Sequence, residues 1–265
     1  MKVVVLGAAG RMGRMLTRHI AQADDMILAA AIERPGASEL GQDAGTLAGV
    51  AAIGVPVSDD LHEALAHANA LIDFTGPTST VAASELAAQA KAVHVVGSTG
   101  LSEEDAGNLH RAARHTPVVW SDNMSLGVNL LSALVEQVSA RLGAEFDIEI
   151  LETHHRHKVD APSGTALALG RAAAKGRGVA LDEVSARGRD GHTGARKPGD
   201  IGFAVLRGGE VIGDHTVSFV GADERIELSH HAVRRDIYAV GALAAVRWGV
   251  GKPPGLYSMR DVLDL

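Results

Sequence analysis

Apolar and polar positions follow two different rhythms along the chain. Residues 3–6 form an unbroken, β-branched apolar run, the pattern of a strand buried on both faces of a parallel sheet. Glycines at 7, 10 and 13 follow, and Met15, Leu16 and Ile20 then recur at helical spacing. A second apolar run at 27–32 closes a βαβ unit. Residues 36–57, rich in Gly and Ala, predict irregular structure ending in a short strand. Ser58, Asp59 and Asp60 offer an N-cap to a short helix through His67. Strands are predicted at 70–74, 93–96 and 117–120, with helices over about 78–91 and from Ser102 to about Arg114. Such βα alternation predicts an α/β, Rossmann-type doubly wound parallel sheet with ligands at the carboxyl ends of its strands.

The rhythm changes at Leu126. Val128, Leu131, Leu134, Val135 and Val138 form one stripe of a helix that ends near Gly143. Residues 146–151 alternate like a half-buried strand, and Ser163, preceded by Pro162, caps a helix through about Ala174. A basic, glycine-rich stretch at 187–199 predicts a mobile loop. Runs at 201–206, 210–220 and 225–231 predict antiparallel strands joined by short turns, Arg207-Gly208-Gly209 among them. This second domain is therefore expected to be α+β with a mostly antiparallel sheet. Residues 238–248 are helical, Pro253-Pro254-Gly255 ends them, and 259–265 form a short amphipathic tail expected to pack on the first domain. The expected division is 1–125 with 235–265 as one domain and 126–234 as the other, with two crossings that can act as hinges.

Composition narrows the partners. The 265 residues are 46% hydrophobic but only 3% aromatic, so the core is built mainly from Ala, Val, Leu and Ile. A formal charge of -7 leaves no basic excess for general nucleic-acid or anionic-membrane binding. The chain has no cysteine, so it has neither disulfides nor thiolate chemistry, in keeping with a reducing compartment. The first apolar run stops at Gly7, too short for a signal peptide or a membrane span. A cytoplasmic protein is expected.

Chemistry concentrates in two places. The glycine turn, Gly7-Ala8-Ala9-Gly10-Arg11-Met12-Gly13, departs from G-x-G-x-x-G, but it follows a strand and opens a helix. Its backbone N–H groups and the positive helix end suit a pyrophosphate. Glu33 closes the next strand, where it can accept hydrogen bonds from an adenosine ribose, and Arg34 beside it can pair with a 2′-phosphate. Thr75-Gly76, Gly97-Ser98-Thr99 and Ser121-Asp122-Asn123-Met124 end three further strands on the same edge. The second place is 152–165, which gathers three histidines, Arg156 and Lys158 before a helix start. An imidazole there can exchange a proton near neutral pH, and Lys158 can hold an anion or protonate it. Two rival readings are open to these residues. His155 and His157 can be read as zinc ligands, although Arg156 and Lys158 would repel the cation. A noncatalytic nucleotide sensor leaves Lys158 and the Ser163-Gly164-Thr165 helix start without a task.

The GAAGRMG turn, Ile72-Asp73-Phe74-Thr75, Gly97-Ser98-Thr99-Gly100 and 123–129 together carry a resemblance, and so do 189–194, 213–216 and above all the HHRHKVDAPSGT run. The chain resembles the 4-hydroxy-tetrahydrodipicolinate reductases, also called dihydrodipicolinate reductases, of diaminopimelate and lysine synthesis, over essentially its full length. The resemblance implies a nicotinamide-binding domain and a substrate domain whose sheet builds a homotetramer. It also implies reduction of a small cyclic dicarboxylate by NADH or NADPH, with no metal. Under it, His154 and Lys158 match the proton-transfer residues, His155 a substrate contact, and Gly164 and Thr165 the substrate carboxylate site. Gly7, Ala8, Ala9, Gly10, Arg11, Met12, Glu33, Arg34, Gly97, Ser98, Thr99, Ser121, Asp122, Asn123 and Met124 match the cofactor side. Gly76 stands where some members carry arginine, and Ser98 where threonine is common.

Overall fold

The structure, a computed structural model, describes residues 1–265. They form two units, Met1–Leu126 with Asp236–Leu265, and Gly127–Arg235. The first unit runs β1 (Lys2–Leu6), α1 (Arg11–Ala21), β2 (Ile27–Ile32), α2 (Ala44–Leu47), β3 (Val57–Ser58), α3 (Leu61–Leu65), β4 (Ala70–Asp73), α4 (Pro77–Ala90), β5 (Val93–Val96), α5 (Glu103–Ala112) and β6 (Pro117–Trp120). The chain then passes through α6 (Leu126–Arg141), β7 (Asp147–His154), α7 (Gly164–Gly176), α8 (Leu181–Val184), β8 (Ser185–Arg187), β9 (Ile201–Arg207), β10 (Gly213–Val220) and β11 (Arg225–Ala232). It returns to the first unit with α9 (Ile237–Gly249), β12 (Gly255–Tyr257) and α10 (Met259–Val262).

The first sheet has the order β12-β6-β5-β4-β1-β2-β3 and is parallel throughout. Its strands read as continuous apolar runs because both faces are covered. Val3, Val5, Ile72 and Val95 pack in one cluster with Ala242 and Val246 of α9, while Val4 and Leu71 pack in another with Ala83 and Ala87 of α4. The order reverses around β1, which lies between β2 and β4, and this is the switch point where such sheets receive ligands. Short helices start where a side chain accepts an orphan N–H: Asp43 from Thr46, Asp60 from Glu63, and Ser102 in a capping box with Asp105. The region after Pro253-Pro254 adds a strand that periodicity did not predict, β12, paired with β6.

The second sheet is mixed, in the order β11-β10-β7-β9-β8. β10 runs antiparallel to both β7 and β11, whereas β9 runs parallel to β7 and β8. The expectation of antiparallel strands thus needs correction for β9. Arg207-Gly208-Gly209 is not a hairpin turn, because β7 lies between the two strands that it connects. On β7, Ile148 and Ile150 face a core shared with Leu131, Val135, Leu169, Val217 and Phe219. Leu134, at the edge of the predicted α6 stripe, is exposed, as is Leu130 one turn before it. The 187–199 loop is pinned to β7. Arg196 donates to Glu149, Asp147 and the Ile148 carbonyl, and Arg189 makes a two-pronged bond to Glu149. No helix is long and apolar enough to cross a membrane.

Candidate active site

Strand alternation places Glu152 and His154 on the same buried face at the end of β7. Glu152 is 1% exposed and His154 8%. A bare carboxylate at that depth would be strongly disfavoured, so its partners matter. Glu152 Oε2 lies 2.6 Å from His154 Nδ1, Oε1 accepts the Ser163 N–H at 2.9 Å, and Arg207 donates to both oxygens at 2.7 and 2.9 Å. Burial works to raise the Glu152 pKa, but Arg207, His154 and the Ser163 N–H outweigh it and hold the carboxyl below its usual range. Burial pulls His154 below its ordinary value against the opposing influence of Glu152, with the positive charges of Lys158 and Arg207 adding to the fall. The pair is therefore an ionised Glu152 and a neutral His154 near neutral pH. Since a carboxylate can only accept, the hydrogen-bond network assigns the imidazole proton to Nδ1.

A second histidine backs this pair. The His215 ring meets His154 edge-on at 5.1 Å, and its Nε2 lies 3.0 Å from Ser163 Oγ, which also caps Ala166 of α7. Burial lowers the His215 pKa to about 4, with the nearby His154 adding to the fall.

The segment after His154 is fastened by backbone bonds. Gly208 donates to the His154 carbonyl, His155 to Val211 and Arg156 to Gly209, while Arg207 Nη2 reaches the Asp160 carbonyl at 2.8 Å. Lys158 Nζ pairs with Asp160 at 2.9 Å. The His155 ring lies 6.2 Å from that of His157, and its Nε2 is 3.4 Å from Arg235. Gly164 and Thr165 open α7 behind the Ser163 cap. No group of three or more His, Cys, Asp or Glu side chains is placed to hold a metal ion.

In the first unit, the glycine turn occupies the carboxyl end of β1. Gly7 has φ +72°, where a side chain would be strained, and a Cβ on Gly13 would stand 2.1 Å from the Gly7 carbonyl oxygen. The N–H groups of Gly7 and Ala8 both donate to the Ile32 carbonyl, and that of Gly10 donates to Gly7. Glu33 spans the turn: one carboxylate oxygen accepts the Ala9 N–H at 3.2 Å, the other the Arg34 N–H at 3.1 Å. The Gly10 cap brings no side chain, so the first-turn N–H groups, beginning at Arg11 and Met12, are left for an external anion. The residues here fit a dinucleotide: an uncapped helix start for a pyrophosphate, and a fixed acceptor beside it.

At the ends of β4 and β5, buried Asp73 accepts from Thr75 N, Thr75 Oγ1 and Ser98 Oγ at 2.8, 2.6 and 3.3 Å, and its carbonyl accepts the Gly97 N–H. Thr99 and Asp122 are exposed, Met124 is buried, and Ser121 and Asn123 bond within their own turn after β6. The structure thus joins Gly7 to Met12 directly with Glu33, and Ser98 with Thr75, whereas Ser121 to Met124 lie three strands from β1. Reasoning from sequence did not single out Glu152, Arg207, His215 or Asp73, the side chains that the structure joins to His154, Ser163 and Ser98. The period-two pattern of β7, carried three residues past Leu151, would have paired Glu152 with His154.

Two family models match, described as "Dihydrodipicolinate reductase, N-terminus" over residues 1–124 and "Dihydrodipicolinate reductase, C-terminus" over 127–263. The 4-hydroxy-tetrahydrodipicolinate reductase of Rhodopseudomonas palustris (strain HaA2) is 59% identical over 265 residues, covering 100% of this chain and 98% of the relative. That of Parvibaculum lavamentivorans is 58% identical over 265 residues, with the same coverage. Among solved structures, the dipicolinate-bound dihydrodipicolinate reductase from Paenisporosarcina sp. TG-14 superposes with a TM-score of 0.76 at 22% identity, covering 97% of each chain. An amine dehydrogenase from Mycobacterium smegmatis shares the fold at a TM-score of 0.61 and 14% identity, over 98% of this chain and 95% of its own.

Proposed function

The chain belongs to the dihydrodipicolinate reductase family, and from that premise we propose how its residues divide the work of the reaction. It is an oxidoreductase that reduces 4-hydroxy-tetrahydrodipicolinate to tetrahydrodipicolinate in diaminopimelate and lysine synthesis, and it uses a nicotinamide dinucleotide. The observation that carries the assignment of roles is the buried Glu152–His154 pair, with Lys158 and the start of α7 following on the same segment.

The reduced nicotinamide supplies the hydride. The first unit holds that cofactor, through the helix start at Arg11 and Met12, the turn from Gly7 to Gly10, Glu33 and Arg34, and the strand ends at Gly97, Ser98, Thr99, Ser121, Asp122, Asn123 and Met124. Glu33 accepts from a ribose diol and Arg34 meets a 2′-phosphate, so both NADH and NADPH are used. Gly76 brings no cation to this edge, whereas Ser98 keeps its hydroxyl engaged with Asp73. The second unit holds the small dicarboxylate. Lys158, His155 and the α7 start at Gly164 and Thr165 provide the positive field that its carboxylates require. Hydride delivery builds negative charge on the substrate, which a proton must quench. Lys158 is an ammonium donor. His154 takes up a proton on Nε2 and passes it on, and Glu152 stabilises the imidazolium in between.

The outer face of the second sheet presents Leu151, Ala204, Leu206 and Thr216 in adjoining rows, the first 42% exposed. Four copies joined through this face make the working homotetramer, in the cytoplasm. The deciding experiment follows nicotinamide absorbance after adding freshly made product of the preceding synthase, with each cofactor in turn. Oxidation with both is expected. No oxidation with either would overturn the activity, and a preference above about a thousandfold would overturn dual use.

A further inference from the structure

We propose that Glu152, clamped by Arg207, is a positioning residue that keeps the His154 proton on Nδ1 and thereby makes Nε2 the nitrogen that exchanges a proton with substrate. The inference rests on the reading of His154 as the proton-transfer residue and adds what sets its working edge.

Three features converge on it. Glu152 is fully enclosed, and each of its oxygens takes a guanidinium N–H together with one further donor, His154 Nδ1 on one and the Ser163 N–H on the other. The carboxylate is thus fixed in position and orientation before any ligand arrives, and an imidazole whose Nδ1–H is so held can present only Nε2. The Nε2 edge, in turn, faces bare backbone. A Cβ on Gly213 would lie 2.9 Å from His154 Nε2, so the first residue of β10 leaves that nitrogen its space. Finally, Arg207 ties the same carboxylate to the Asp160 carbonyl, so the clamp that orients His154 also fixes the segment bearing Lys158.

The charged and titratable groups facing His154 are Glu152 on its own strand, Lys158, Arg207 on β9 and His215 on β10. Of these, only Glu152 favours the imidazolium. Replacing it by glutamine removes the charge, and the amide can donate to Nδ1 and reverse the tautomer. A residue that merely filled space would lower yield or stability without moving a titration.

The test uses the full chain labelled with 15N-histidine, comparing wild type, Glu152→Gln, Gly213→Ala and His154→Gln. His154→Gln identifies the His154 resonances by their loss. In the wild type at neutral pH, the expected tautomer carries its proton on Nδ1. In Glu152→Gln, kcat is expected to fall about 100-fold with the KM for NADH unchanged. The alkaline limb of the kcat profile should move to lower pH by about one unit. Gly213→Ala should lower kcat while leaving the Nδ1–H tautomer in place. An Nε2–H tautomer in the wild type overturns the inference even if no variant folds, and so does Glu152→Gln with unchanged kcat and pH profile. Near-normal turnover of His154→Gln instead removes the reading on which it rests, a result distinct from either of those.

Discussion

If His154 and Lys158 carry the proton transfer, the chemistry depends on side chains that the cofactor residues do not contact in their own unit. His154→Gln or Lys158→Ala should therefore lower turnover by at least about 100-fold. The Kd for NADH, read by fluorescence titration, should stay within about twofold of wild type. His215 makes a different prediction, one of stability. Its pKa falls from 6.5 to about 4 on burial, so between those values the unfolded chain binds the proton more readily than the folded one. This stability is present above pH 6.5 and is lost as pH falls towards 4, by about 2 kcal/mol between pH 7 and pH 5. His215→Gln should flatten that part of the curve in urea unfolding at fixed protein concentration. Single residues were unevenly legible in sequence. The 152–165 stretch stood out by density and the resemblance marked His154 and Lys158 within it, whereas Glu152 was only the residue that opens that stretch, and Arg207 part of a turn. Their importance comes from partners 2 and 55 positions away, joined by a sheet register that composition does not encode.

Elements were legible where their period and punctuation agree. The apolar run, glycine turn and amphipathic helix of β1 and α1 specify one another, and Ser102 with Asp105 marks the start of α5. β9 was misjudged because a Gly-Gly turn between two strands looks locally the same whether they pair or a third lies between them. β12 has only three residues, too few for alternation to show. Asp73 acts at this scale, because its carboxylate joins the end of β4 to the loop after β5. Burial opposes its charge, but the His94 ring and the Thr75 hydroxyl hold its carboxyl below the usual range. Asp73→Ala strands the Thr75 N–H and the Ser98 hydroxyl and should cost about 3 kcal/mol in urea unfolding. Asp73→Asn, which keeps an acceptor, should cost less than half as much.

For the whole molecule, the division into two units was legible from the change of rhythm at Leu126, because parallel strands alternate with helices and half-buried strands do not. Which residue of the second sheet could carry an assembly contact was not, since an exposed Leu151 is visible only once the strand's outward face is known. If four copies meet through that face, Leu151→Asp should leave each chain folded, because the side chain touches no core. Sedimentation velocity should show the tetramer lost to smaller species, and an unchanged tetramer would place the contact elsewhere. The return of residues 236–265 to the first unit has a consequence for the order of events on the ribosome. Ala239, Ala242, Leu243, Val246 and Met259 belong to the same core as Val3 and Val5. β1 therefore waits for α9 and α10, which are translated after the whole of 127–235, while that segment can fold as a continuous piece. A nascent chain stalled after Arg235 should accordingly protect its inserted segment from protease before β1, reversing the usual order in which domains mature.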